Sequence, residues 1–159
     1  MKAAVITVSD GVSSGERADE SGDFLEALLL AEGFEVERQV VPDERVQIAN
    51  ALRRLTPLVQ VILTTGGTGL AARDVTPEAT ESVLDRHAPG IAQALRMDSI
   101  AKTPHGLLSR GVAGVRDRTL IVNQPGSPGG ARDGFEVLKP ALKHAVELLE
   151  GDPTEHVQT

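Results

Sequence analysis

Short apolar, β-branched segments alternate with helical patterns along nearly the whole chain, and this alternation restricts the fold more than any other feature. Residues 3–8, 34–41, 58–64 and 119–122 read as strands. In the second, Phe34, Val36, Arg38 and Val40 share one side, which suits a strand near a sheet edge. A helix is expected to begin near Asp19 or Ser21, where Phe24, Leu25, Leu28 and Leu29 form i,i+4 pairs and Gly33 stands at the C-cap position. Pro42 ends the second strand, and Asp43 opens a helix carrying Val46, Ile48, Ala49, Leu52 and Leu55. Thr76 followed by Pro77 reads as a capping side chain and a first-turn proline. Helical pattern then runs in pieces to about Lys102, with an interruption around Pro89 and Gly90. Residues 103–114 show no clear pattern. Residues 131–150 read as a helix with a bend at Pro140. Strands that alternate with helices predict an α/β domain, with a parallel sheet covered on both faces.

A chain of 159 residues suits one domain, here residues 1–151 followed by a polar tail over 152–159. With three Phe and no Tyr or Trp, the core must be built from Leu, Val, Ile and Ala. Sixteen basic and twenty-three acidic residues give a net charge of −7, which argues against a nucleic-acid or membrane partner surface. The absence of cysteine excludes disulfides, thiolate catalysis and cysteine-ligated metals. No apolar run approaches the roughly 18 residues of a membrane span. The N-terminus enters a strand-like segment without a signal-peptide pattern, so the expected location is the cytoplasm.

The polar residues have a positional logic. Each strand runs into a polar or glycine-rich turn: Ser9-Asp10-Gly11, Pro42-Asp43-Glu44, Thr65-Gly66-Gly67-Thr68-Gly69, and Asn123-Gln124-Pro125-Gly126-Ser127-Pro128. In an open parallel sheet, ligands bind outside the carboxyl ends of the strands. Polar turns occur in every fold, but two long glycine-rich ones exceed what connection requires. Glycines let backbone N–H groups approach an anion, and the threonines add hydroxyl donors, so the first of these turns suits phosphate. It is not a Walker A loop, since no Gly-Lys-Ser/Thr follows. Gly67, Gly69 and Ala72 fit the dinucleotide pattern only formally, because the next helix is delayed to Thr76.

Asp43 and Asp74 are the candidate carboxylates. Asp74 precedes a helix whose cap and first-turn positions are already filled, whereas Asp43 could equally cap its own helix. Two carboxylates beside a phosphate loop make sense as Mg²⁺ ligands, because magnesium takes few protein carboxylates and bridges substrate phosphates. Without a cation they would repel a polyphosphate. His87, His105, His144 and His156 show no ligand spacing. Arg73 could contact phosphate or be a solvated surface arginine. No Ser-His-Asp or GxSxG arrangement occurs.

Residues 64–69 (TTGGTG), 73–79 (RDVTPEA), 108–110 (LSR) and 123–128 (NQPGSP) occur in an order and spacing that resembles the MogA/MoaB family, itself similar to the gephyrin G domain. The likeness extends over residues 3–151. It implies a three-layer α/β/α sandwich with a mostly parallel central sheet, assembled as a homotrimer. It also implies adenylylation of molybdopterin with ATP as co-substrate and Mg²⁺, on the way to molybdenum cofactor. A molybdenum insertase of the MoeA type is the partner that the resemblance suggests. Asp43 and Asp74 then take the positions of the family's functional aspartates and carry catalysis and Mg²⁺. Ser9, Asp10, Thr65, Gly66, Gly67, Thr68, Gly69, Ser109, Asn123, Pro125, Gly126 and Ser127 are the expected substrate-binding residues. Two other readings remain open: a pterin-binding protein without turnover, and a nucleotide hydrolase for which no distinct nucleophile is present.

Overall fold

The computed structural model describes residues 1–151; the tail expected at 152–159 lies outside the described residues. The strands are β1 (Lys2–Val8), β2 (Glu35–Val41), β3 (Val61–Thr65), β4 (Arg86–His87), β5 (Ala113–Arg116) and β6 (Thr119–Gln124). The helices are α1 (Asp10–Ser13), α2 (Glu20–Ala31), α3 (Arg45–Leu55), α4 (Thr76–Glu81), α5 (Pro89–Lys102) and α6 (Pro128–Glu150). They form one six-stranded sheet of order β2-β1-β3-β6-β5-β4. β2, β1, β3 and β6 are parallel; β5 pairs antiparallel with β6, and β4 antiparallel with β5. β2 lies at one edge, as its alternation suggests.

Alternation along each strand divides the core into two layers. Val5, Val61, Leu63, Leu120 and Val122 pack beneath α2 and α6. Ile6, Ile62 and Ile121 pack beneath α3, through Ile48, Leu52 and Leu55. Each fully buried aliphatic side chain stabilises by about 1.5–3 kcal/mol through water release. The core is therefore aliphatic, as the composition requires. In α2, Leu25 and Leu29 are fully buried and Leu28 packs against the core, while Phe24 points outward at 44% exposure, so Phe24 alone of the apolar face read from the sequence stays outside.

Several local expectations are corrected. Residues 10–13, expected as loop, form the one-turn α1, because the Ser9 hydroxyl accepts from the Val12 amide and caps it. α3 begins at Arg45 with Glu44 at the cap position, so Asp43 does not cap it. Thr76 does not cap α4; its hydroxyl donates to the Gly66 carbonyl at 2.9 Å and sews the helix start to the glycine-rich turn. The break in the helical stretch falls earlier than Pro89, which instead begins α5. β4 and β5 went unread. Each is short, and β5 contains Gly114, whose Cβ position would fall 2.4 Å from the Arg86 carbonyl on β4. α6 is continuous from Pro128 to Glu150. Pro140 lies on its exposed face, where water can reach the carbonyl that the proline leaves unbonded. No helix among the described residues is long and apolar enough to cross a membrane.

Candidate active site

The chain leaves β1 toward β2 on one side and β3 on the other, so strand order reverses between β1 and β3. Such a reversal opens a crevice at the carboxyl ends of the strands. Register places Thr7 beside Thr65, and Thr65 beside Gln124, so the ends of β1, β3 and β6 adjoin. A cavity of about 560 Å³ lies there, and Ser9, Asp43, Gly66, Gly67, Asp74 and Gly126 are among the residues that line it. Ser127 and Arg17 also face it.

The glycine-rich turn is shaped by close approach. Gly66 has φ +99°, and a Cβ on it would stand 2.3 Å from the Val8 carbonyl oxygen. Gly67 has φ +69°, and its Cβ would meet Thr76 Oγ1 at 2.4 Å and Asp43 Oδ1 at 3.1 Å. Only glycine adopts this backbone without strain and leaves that space free. The Thr65 hydroxyl donates to the Pro125 carbonyl at 2.7 Å, fastening the two glycine-rich turns together. At the second turn, Ser127 caps α6 by accepting from the Gly130 amide at 3.1 Å. The positive end of a 23-residue helix therefore opens beside the cavity, a placement that favours an anion.

The carboxylates have distinct environments. Asp43 is half-buried; burial pushes its carboxyl above the ordinary range, and the Asp10 and Asp74 charges push in the same direction. Asp10 is held low, first by hydrogen bonds from Arg73 and then by the Asp43 amide. Arg73 donates from Nε to Asp10 Oδ2 at 2.6 Å and from Nη2 to Glu44 Oε1 at 2.9 Å. Of its two readings, the surface arginine is the one seen: its side chain is exposed and its donors go to the carboxylates of Asp10 and Glu44. Asp74 Oδ2 accepts from the Ala71 amide at 3.0 Å. The donor set fits a hard divalent cation. Asp43 is a carboxylate burdened by like charges, which a cation would relieve, and oxygen ligands are those magnesium takes. Asp43 and Asp74, which both line the first cavity, are the residues that could hold one.

A second cavity of about 530 Å³ lies across the Gly126–Ser127 wall. Thr68, Gly69, Ser109 and Pro125 line it, together with Lys102 and His105. The expected site residues therefore divide between two adjoining cavities rather than sharing one, except that Asp10 lines neither and its carboxylate accepts from Arg73 and the Asp43 amide. Asn123 belongs to neither large cavity, and its expected contact with substrate is corrected. It is 4% exposed, its amide nitrogen donates to the Thr64 and Thr80 hydroxyls, and its oxygen accepts from the Val112 amide. Its side chain is committed to joining β6, α4 and the start of β5.

Sequence reasoning missed Arg17, whose Nη2 donates to the Ser9 hydroxyl at 2.8 Å on the wall of the first cavity. It also missed Lys102 and His105, which reach the second cavity from residues without a motif. Arg17 lies only eight residues past Ser9, in a turn rich in glycine and serine. A lone basic residue in such a segment was the available signal.

A family model described as a probable molybdopterin binding domain matches residues 4–144. The chain belongs to that family. It is 39% identical over 153 residues to the molybdopterin adenylyltransferase of Helicobacter pylori strain 26695, spanning 93% of this chain and 87% of that enzyme. It is 36% identical over 168 residues to the molybdopterin adenylyltransferase of Escherichia coli K12, spanning 95% and 86%. Against the gephyrin of Dictyostelium discoideum it is 40% identical, covering 94% of this chain but only 22% of that longer protein. Among solved structures, the molybdopterin biosynthesis enzyme MoaB of Thermus thermophilus superposes with a TM-score of 0.89. The two are 47% identical, over 97% of this chain and 99% of that one. The family's three-layer sandwich with a mostly parallel sheet is the architecture seen here.

Proposed function

We propose that this protein is a molybdopterin adenylyltransferase acting in molybdenum cofactor synthesis. The observation that carries the reading is the convergence of Asp43, Asp74 and both glycine-rich turns on one cavity at the switch point of the sheet. Its relatives of similar length bear that activity in their names.

The reaction joins a terminal phosphate oxygen of molybdopterin to the α-phosphorus of ATP. The new P–O bond forms as the bond from the α-phosphorus to the bridging oxygen breaks, and pyrophosphate leaves. The attacking oxygen is already anionic near neutral pH, so no general base is required. The protein's work is positioning and charge stabilisation. The amides of the turn at 65–69 and the α6 N-terminus bind phosphate oxygens. Ser9 and Arg17 hold the cavity wall, and Ser109 reaches the ligand from the second cavity. Mg²⁺, held by Asp43 and Asp74, would supply charge neutralisation at the phosphates.

Homotrimer assembly is part of the proposal. α5 fully buries none of its residues in the protomer, and Met97 on it and Leu107 just after it are 62% and 67% exposed. A cytoplasmic location and a MoeA-type insertase partner accord with the chemistry of the product. The deciding experiment incubates the protein with molybdopterin and Mg-ATP and measures the product by mass spectrometry. Adenylylated pterin with stoichiometric pyrophosphate is expected. Tight pterin binding without ATP-dependent product would instead assign a binding protein.

A further inference from the structure

Arg110 makes four contacts with the glycine-rich turn and the approach to α4. Its backbone amide donates to the Thr68 carbonyl at 2.8 Å. Nε donates to the Gly69 carbonyl at 2.8 Å, and Nη2 to the Asp74 carbonyl at 2.7 Å. Nη1 pairs with the Glu78 carboxylate. The guanidinium thus bridges both ends of the 70–74 segment. Within that segment the Asp74 amide donates to the Ala71 carbonyl at 2.9 Å, and the Asp74 carboxylate accepts from the Ala71 amide.

The backbone on either side of Arg110 is fixed as well. Arg96 on α5 donates from Nε to the Ser109 carbonyl at 3.0 Å and from Nη2 to the Gly111 carbonyl at 2.8 Å. Ser109 lines the second cavity, whereas Asp74 and Gly67 line the first. Residues 109–111 are therefore held by two arginine forks, one reaching toward each side.

We propose that Arg110 is a positioning residue: its fork holds the glycine-rich turn and Asp74 in register with Ser109, joining the two cavities into one reaction site. The inference rests on the adenylyl-transfer reading for its catalytic consequence. Arginine is required because a planar fork can serve two carbonyls and a carboxylate together, which a lysine ammonium on its flexible stem cannot.

The test compares Arg110→Lys with Glu78→Gln. Arg110→Lys keeps a positive charge opposite Glu78 but loses the fork; a 1 Å misplacement can cost about 100-fold in rate. Its kcat is expected to fall about 100-fold with KM for ATP and molybdopterin changed less than about threefold. Glu78→Gln removes the charge partner but leaves the carbonyl contacts, and its kcat should stay within about threefold of wild type. Wild-type kcat in Arg110→Lys overturns the proposal. So does an equal loss in both variants, which would make the ion pair the operative element. Hydrogen exchange of the ligand-free wild type provides an arm that needs neither a folded variant nor turnover. The Ala71 and Asp74 amides, which bond within the segment that Arg110 bridges, should be protected before any ligand is added, and their exchange at the rate of an unstructured loop overturns the proposal. If the wild type forms no adenylylated pterin, the functional reading fails, while the exchange result still decides the placement of Arg110.

Discussion

Asp10 and Asp43 exchange hydrogen bonds reciprocally: the Asp10 amide donates to Asp43 Oδ2 at 2.9 Å, and the Asp43 amide donates to Asp10 Oδ1 at 3.0 Å. Each carboxylate thereby anchors the other's turn, although 33 residues separate them. Arg73 neutralises Asp10 from outside. Among the described residues Asp43 has no ion pair, Arg73 acting on it only at a distance, and it keeps one oxygen toward Gly67. The pair thus divides its labour, Asp10 bracing the rim and Asp43 presenting charge to the cavity.

Asp43→Asn retains an oxygen for the Asp10 amide, and Asp74→Asn one for the Ala71 amide. Both variants should fold, and both should form adenylylated pterin at least about 100-fold more slowly than wild type, the scale of losing one preorganised electrostatic contact. Product mass spectrometry under initial-rate conditions measures this. Wild-type rates in either variant remove that aspartate from the mechanism.

Ionisation of Asp43 should cost stability. Its folded carboxyl is raised above the ordinary 3.8. The folded state therefore holds the proton more tightly than the unfolded chain, and this favourable contribution fades as pH rises through the raised value. At neutral pH without divalent cation, Asp43→Asn should melt about 1–4 °C above wild type. Added Mg²⁺ should raise the wild-type midpoint and leave that of Asp43→Asn nearly unchanged. Asp10 acts oppositely, since its stabilisation is lost as pH falls, so the comparison of wild type with Asp43→Asn isolates one group. Differential scanning across pH, with and without Mg²⁺, supplies the measurement.

Asn123→Ala removes three hydrogen bonds from a buried position and strands the Val112 amide. The expected cost is about 2–4 kcal/mol, read as a lower urea midpoint at unchanged slope. A stable Asn123→Ala protein with impaired ligand binding would return this residue to the substrate.

Gln124 lies next to Asn123 in sequence and has the opposite character. It is fully buried, and among the described residues neither its amide oxygen nor its nitrogen has a partner. A Cβ at Gly134 would fall 2.1 Å from the Gln124 oxygen. Gln124→Met keeps the linear shape and removes the unpaired groups, so stability should hold or rise by about 1 kcal/mol. A loss of more than about 1 kcal/mol in equilibrium unfolding would show that the amide is bonded after all.

Gly66→Ala tests the close approach of the turn. The added methyl would meet the Val8 carbonyl, which belongs to a central strand and cannot move aside. Destabilisation of about 1–3 kcal/mol is expected from the backbone strain alone, together with loss of adenylyl transfer. An Ala variant as stable and active as wild type would contradict the geometry at this position.

Periodicity and turn chemistry made the parallel strands, the helices that cover them and the ligand rim legible before any coordinates. These features are local: β-branched runs, i,i+4 spacing and glycine at positive φ express themselves within a few residues. Asp43 and Asp74 stood out for the same reason, being polar residues at the ends of strands or the starts of helices. What tertiary structure alone decided involves partners far apart in the chain. It put Asp10 against Asp43, drew Arg73 away to carboxylates, buried Asn123 and divided the expected site between two cavities. β4 and β5 are too short to show a period, and they become strands only because β6 offers an open edge to pair with. Likewise, the LSR motif marks Arg110 in the sequence but not what it holds, since its acceptors on Gly69 and Asp74 are backbone carbonyls 41 and 36 residues away.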